Sequence, residues 1–96
     1  MYKIELEFDT EKIPYKDIDE IGYMTDQIFE QEEIRCAENC HGRRVYLDRG
    51  NKQDYGKFWA AIFALKNNSR ISNNLKTCFW YNGEQKENLI TDFIRN

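Results

Sequence analysis

Hydrophobic and polar residues alternate without a break from Tyr2 to Phe8, with Tyr2, Ile4, Leu6 and Phe8 on one side and Lys3, Glu5 and Glu7 on the other. A period of two marks a half-buried β-strand. After a polar connection over residues 9–14 the period lengthens. Ile18, Ile21, Thr25 and Ile28, with Gly22 and Phe29 beside them, recur at helical spacing and predict a helix from about Tyr15 to Gln31. Asp17 with Glu20 three residues later has the form of an acidic capping box. Asp19, Asp26 and Glu30 fall toward the opposite, polar side of that helix.

The stretch from Gln31 to Gly50 admits two readings. Continuing the helix through Asn39 would place Glu32 and Arg35 on its apolar stripe. A hairpin instead puts Ile34 and Cys36 on one face, turns at Cys40-His41-Gly42, and resumes alternation over Arg43 to Asp48. The hairpin is the expectation, with Val45 and Leu47 inward and Arg44 and Tyr46 outward. A second helix should follow, capped by Asn51 or Asp54, with Tyr55, Phe58, Ile62 and Leu65 as its core stripe and Trp59 and Phe63 as a second apolar edge. Leu75 to Tyr81 is rich in strand formers, with Lys76, Cys78 and Trp80 on one face and Leu75, Thr77, Phe79 and Tyr81 on the other. Asn82-Gly83 is a turn, and Asn82 with Gln85 could cap a last helix carrying Leu89, Ile90, Phe93 and Ile94. That helix could dock on Trp59 and Phe63, or cross the open sheet face over Trp80 and Tyr46. The expected class is α+β. In detail it is a ferredoxin-like split β-α-β-β-α-β domain: a four-stranded antiparallel sheet in order 4-1-3-2, two helices on one face and an extra C-terminal helix.

Composition narrows the class of protein. A chain of 96 residues with 41% apolar and 15% aromatic content should form one domain over residues 1–96 with its own core. Its longest apolar run, Phe58 to Leu65, is far short of the ~20 residues a membrane span needs. Alternation beginning at Tyr2 reads as a strand, not a signal peptide. Cys36, Cys40 and Cys78 lack the dense even spacing of a secreted disulfide framework, so reduced thiols in a cytoplasmic protein are expected. The charge is divided unevenly. Glu5 to Glu33 contains eleven acids against Lys12 and Lys16, whereas Ile34 to Lys76 contains nine bases against Glu38, Asp48 and Asp54. Either two helices present solvated faces of opposite sign or the division marks a charged partner.

Candidate chemistry is sparse. Cys36, Cys40, His41 and Cys78 are nominal zinc ligands. The expected strand order separates Cys36 from Cys78 by three inter-strand spacings, roughly 14 Å, so no metal or other cofactor is expected. Cys40 and His41 diverge on a tight turn with no third group to orient the imidazole. Nor do the carboxylates of the first helix, spread along a solvated face, show a reason for shifted pKa values. The element order is shared with RNA-recognition motifs, and Tyr46 and Trp80 could stack bases on an open sheet face with Arg35, Arg44 and Lys76 around them. Gly42-Arg43-Arg44-Val45-Tyr46-Leu47 departs from the motif of that family, however, and Glu5 and Glu7 would repel phosphates. The expectation is therefore a non-enzymatic interaction or regulatory module, an adaptor or inhibitor. It would bind another protein, or itself as a homodimer, through the open face (Arg35, Arg44, Tyr46, Trp80) or the acidic helix (Asp19, Asp26, Glu30).

Overall fold

The computed structural model describes residues 1–40 and 42–93. The chain runs β1 (Tyr2–Phe8), α1 (Tyr15–Gln31), β2 (Arg35–Cys40), β3 (Arg43–Leu47), α2 (Asp54–Asn67), α3 (Ser69–Ser72), β4 (Leu75–Asn82), β5 (Gln85–Asn88) and α4 (Ile90–Phe93). The strands form one antiparallel sheet in the order β2-β3-β1-β4-β5. The domain is α+β, with five strands where four were expected.

One face of the sheet is covered. Ile4, Leu6 and Phe8 of β1, Tyr46 of β3, and Cys78 and Trp80 of β4 share a core with Ile21 and Phe29 of α1 and Phe58, Ala61, Ile62 and Leu65 of α2. Burying a side chain of this size contributes about 1.5–3 kcal/mol. The register fixes the faces: Ile4 lies between Tyr46 and Trp80, and Leu6 between Arg44 and Cys78. Arg44, Tyr46 and Trp80 therefore point toward the helices, and Val45, Phe79 and Tyr81 lie on the uncovered face. This reverses the expected orientation of β3 and of β4.

The ambiguous stretch is a hairpin. Its helix-like alternative fails because Glu33, just past the end of α1, takes a left-handed conformation at φ 62°. The amide of Ile34 then donates back to the Phe29 carbonyl at 2.9 Å, closing the helix end and turning Ile34 into the core. A β-bulge between Cys36 and Glu38 shifts the face of the strand's second half. Gly42, at φ 86°, ends the turn, and His41 of that turn lies outside the described residues.

Three local expectations change. The N-cap of α1 is Pro14, with no side-chain cap, rather than Asp17. Asp54 is the first residue of α2 and reaches backward, its carboxylate accepting the amides of Arg49 (3.0 Å) and Asn51 (2.9 Å). Between α2 and β4, where no element was expected, α3 forms because the Asn68 side chain caps Arg70 and Ile71 and lets Ile71 enter the core.

Asn82-Gly83 leads into a strand, not a helix. Gly83, at φ 63°, opens a two-residue hairpin loop, and Gln85 pairs with Asn82. Helix α4 is a single turn whose Phe93, with Leu89 before it, joins the covered core rather than crossing the open face. Phe63, against which it could have docked, stays 58% exposed. Ile94, the last apolar position expected on that helix, lies outside the described residues.

Candidate functional site

The residues singled out from sequence do not form one surface. Arg44, Tyr46 and Asp26 meet inside the molecule. Arg44 donates through Nε (3.2 Å) and Nη2 (3.1 Å) to the two carboxylate oxygens of Asp26, and through Nη1 to Oδ1 of Asn39 (2.6 Å). The Tyr46 hydroxyl donates to Asp26 Oδ1 at 2.5 Å, while its ring stacks on Phe29 with centroids 3.8 Å apart. Burial, reinforced by that hydrogen bond to a carboxylate, raises the Tyr46 pKa well above its ordinary value. Gly22 makes the approach feasible, since a Cβ there would lie 2.7 Å from Arg44 Nη2. Nearby, the Cys36 thiol donates to the Glu38 carbonyl, and partial desolvation by its neighbours, then the Asp26 charge, push its pKa up. Each guanidinium nitrogen of Arg44 and the Tyr46 hydroxyl thus has an acceptor within the chain. The arrangement clasps α1 to β3.

The uncovered sheet face carries a different row. Arg43 Nη2 reaches Glu5 (2.6 Å) and its Nη1 reaches Glu38 (3.3 Å), while the Tyr81 hydroxyl donates to Glu5 (3.4 Å). Lys3 lies over the Tyr81 ring at 4.3 Å and Lys86 over Phe79 at 4.2 Å. Arg35 is exposed on β2, opposite Leu47. Of the four residues expected to bind through this face, Arg35, Arg44, Tyr46 and Trp80, only Arg35 is there. Phe79 and Tyr81 were missed as members of it, although their alternation was legible, because β4 was read with its faces exchanged.

Part of the division of charge is internal. Glu5–Arg43, Asp26–Arg44, Glu33–Lys57 and Glu20–Arg70 each join an acid of the first part of the chain to a base of the second. What remains on α1 is its outer face. Tyr15, Asp19 and Tyr23, spaced four apart, share one side, and the tyrosines are 91% and 61% exposed. Glu30 is exposed further along the same helix.

A groove of about 600 Å³ opens beside α2, lined by Tyr55 and Trp59 of the helix, Trp80 and Asn82 of β4, and Gln85, Lys86 and Glu87 of β5. The rings of Tyr55, Trp59 and Trp80 are mutually tilted, with centroids 5.6–6.4 Å apart. Trp80 thus returns as a groove wall, 4% exposed, instead of an open-face platform. The rest of the groove depends on β5, which no sequence signal announced. Among the described residues no three His, Cys, Asp or Glu side chains gather as metal ligands. Cys36 and Cys40 are exposed on β2, and Cys78 is buried on β4, three inter-strand spacings away across β3 and β1, its thiol pushed up to about 12 by burial. No helix among the described residues is long and apolar enough to cross a membrane.

No known protein family matches this chain, and comparison with curated proteins and with solved structures likewise finds no match.

Proposed function

We propose that this chain is a non-enzymatic protein-interaction module, an adaptor or inhibitor, that engages a basic protein surface through the outer face of α1. The observation that carries this reading is the exposure of Tyr15 and Tyr23, 91% and 61%, on either side of Asp19. Tyrosine supplies large contact area with few rotamers to freeze, and carboxylates around it select a basic partner. Glu20 and Asp26 of the same helix are held by arginines of this chain, so the charge offered outward is that of Asp19 and Glu30. We read the architecture as a ferredoxin-like split β-α-β-β-α-β unit extended by β5. That arrangement hosts many unrelated functions, so the reading rests on the surface and not on the fold. The three free thiols favour the cytoplasm.

Affinity purification from the native host, read by mass spectrometry, tests the reading against a Tyr15→Ala/Tyr23→Ala variant. Both side chains are exposed, so the fold should survive. A protein retained by the wild-type chain and released by the double variant is expected. Equal retention by both would sink the α1 assignment, and sedimentation at rising concentration separates a homodimer from a foreign partner.

A second reading has one observation in its favour. Phe79 and Tyr81, flanked by Lys3 and Lys86, give the uncovered face aromatic and basic groups suited to single-stranded nucleic acid. Glu5 and Glu7 of β1 share that face. Salt-sensitive binding of an oligouridylate, lost in Phe79→Ala, would move the assignment there.

A further inference from the structure

We propose that the free edge of β5 and the aromatic groove beside it accept an extended peptide segment of a partner protein, with an arginine or lysine side chain seated in the groove. This goes beyond the α1 reading and uses a separate surface.

The backbone supplies the first half of the site. Leu89 donates to the Cys78 carbonyl at 2.8 Å, which fixes the phase of the β4–β5 ladder. Counting back along the register, Glu87–Trp80 and Gln85–Asn82 are the hydrogen-bonded pairs. The amides and carbonyls of Lys86 and Asn88 therefore point away from β4, at a strand that is exposed along its whole length. Such an edge is a template for one more strand.

Side chains supply the second half. A strand added to β5 sends alternate side chains to the helix side of the sheet, where Glu87 stands opposite Trp80 at the groove. Glu87 is the acid of that lining. Lys86, the base of the lining, has its amine over Phe79 on the other face of the sheet. Among the described residues the groove thus offers a carboxylate and the rings of Tyr55 and Trp59 with no facing cation, which is the complement of a basic side chain. The indole Nε1 of Trp59 is buried with no hydrogen-bond partner among the described residues. A buried donor in that state is uncommon, which makes the Trp59 indole signal a sensitive reporter on the groove wall.

The test is an NMR titration of the isotope-labelled full chain with an octapeptide of alternating threonine and valine carrying arginine at its centre, and with its glutamate and alanine counterparts. The arginine peptide should shift the amide signals of Lys86 and Asn88 and the indole signal of Trp59. The glutamate peptide should bind at least about tenfold more weakly. Glu87→Gln and Tyr55→Ala, both at exposed positions, should each weaken the arginine peptide about three- to fivefold while leaving the rest of the spectrum in place. Absence of shifts at millimolar peptide would overturn the proposal. So would equal binding of the glutamate peptide, shifts confined to β2 or α1, or self-association of the chain through β5. Variants at Tyr15 and Tyr23 should leave this titration unchanged, so either surface can fail without the other.

Discussion

Arg43 and Arg44 are neighbours in β3, and the pleat sends them to opposite faces of the sheet. Arg43 joins Glu5 and Glu38 on the uncovered face, its side chain 40% exposed. Arg44 joins Asp26, Asn39 and, through Asp26, Tyr46 beneath α1, its side chain 10% exposed. The two clusters use the same chemistry at nearly the same distances. Their environments differ. Water competes for the Arg43 guanidinium and screens its partners, whereas the Arg44 guanidinium has given up most of its hydration and depends on Asp26 and Asn39 to replace it. Equal-looking ion pairs should therefore have very unequal consequences.

The largest effect should follow from Arg44→Met. It leaves the part-buried Asp26 without its guanidinium partner and should destabilise the fold by about 3 kcal/mol in denaturant titration. A loss no greater than that of a surface substitution would remove the distinction between the two arginines. Gly22→Ala probes the same clasp from the helix. Alanine favours a helix by about 1 kcal/mol over glycine. Its Cβ, however, would press on a guanidinium already fixed by Asp26 and Asn39. Gly22→Ala should be destabilising in the wild-type chain and stabilising in the Arg44→Met background. A sign that does not reverse would show that the crowding lies elsewhere.

That clasp also marks where the sequence misleads. The alternation over Arg43 to Leu47 was legible, but its polarity was assigned by hydropathy, which sends Val45 inward and Arg44 outward. The opposite holds because Asp26, eighteen residues earlier on another element, supplies the partner that makes an inward arginine tolerable. Such a pairing has no local signature. The ends of α1 and β4 teach the same lesson in smaller form. The left-handed residue that stops α1 is Glu33, where a glycine would have announced the stop. Polar Gln85–Asn88 form an edge strand because Gly83 reverses the chain beside β4. What was readable, namely β1, α1, the stripe of α2 and the α+β class, rests on periodicity over many residues. The groove was not, since it requires β5.

Tyr46→Phe should have an intermediate effect, about 1 kcal/mol, from loss of the hydroxyl hydrogen bond to Asp26. It carries a pH signature as well. Tyr46 has a raised pKa in the fold, so its neutral form is favoured there. Its contribution is complete below the ordinary tyrosine pKa of about 10 and declines as the pH rises above it, because the unfolded chain loses that proton first. Stability measured from pH 8 to 11 should fall less steeply in Tyr46→Phe than in the wild-type chain. Parallel curves would mean that the hydroxyl is not held as described.

The smallest effect completes the comparison. Arg43→Ala removes two ion pairs, more than Arg44→Met does, yet both its carboxylate partners remain accessible to water once it is gone. Glu5 keeps the Tyr81 hydroxyl, and Glu38 is exposed on the edge strand. The side-chain freedom regained by an exposed arginine further offsets the lost attraction. Denaturant titration should not separate Arg43→Ala from the wild-type chain, and the small residual difference should shrink further as salt is added. A loss comparable to that of Arg44→Met, insensitive to salt, would show that the uncovered face is shielded from water in solution. Some further surface, such as a second copy or a bound partner, would then have to be covering it.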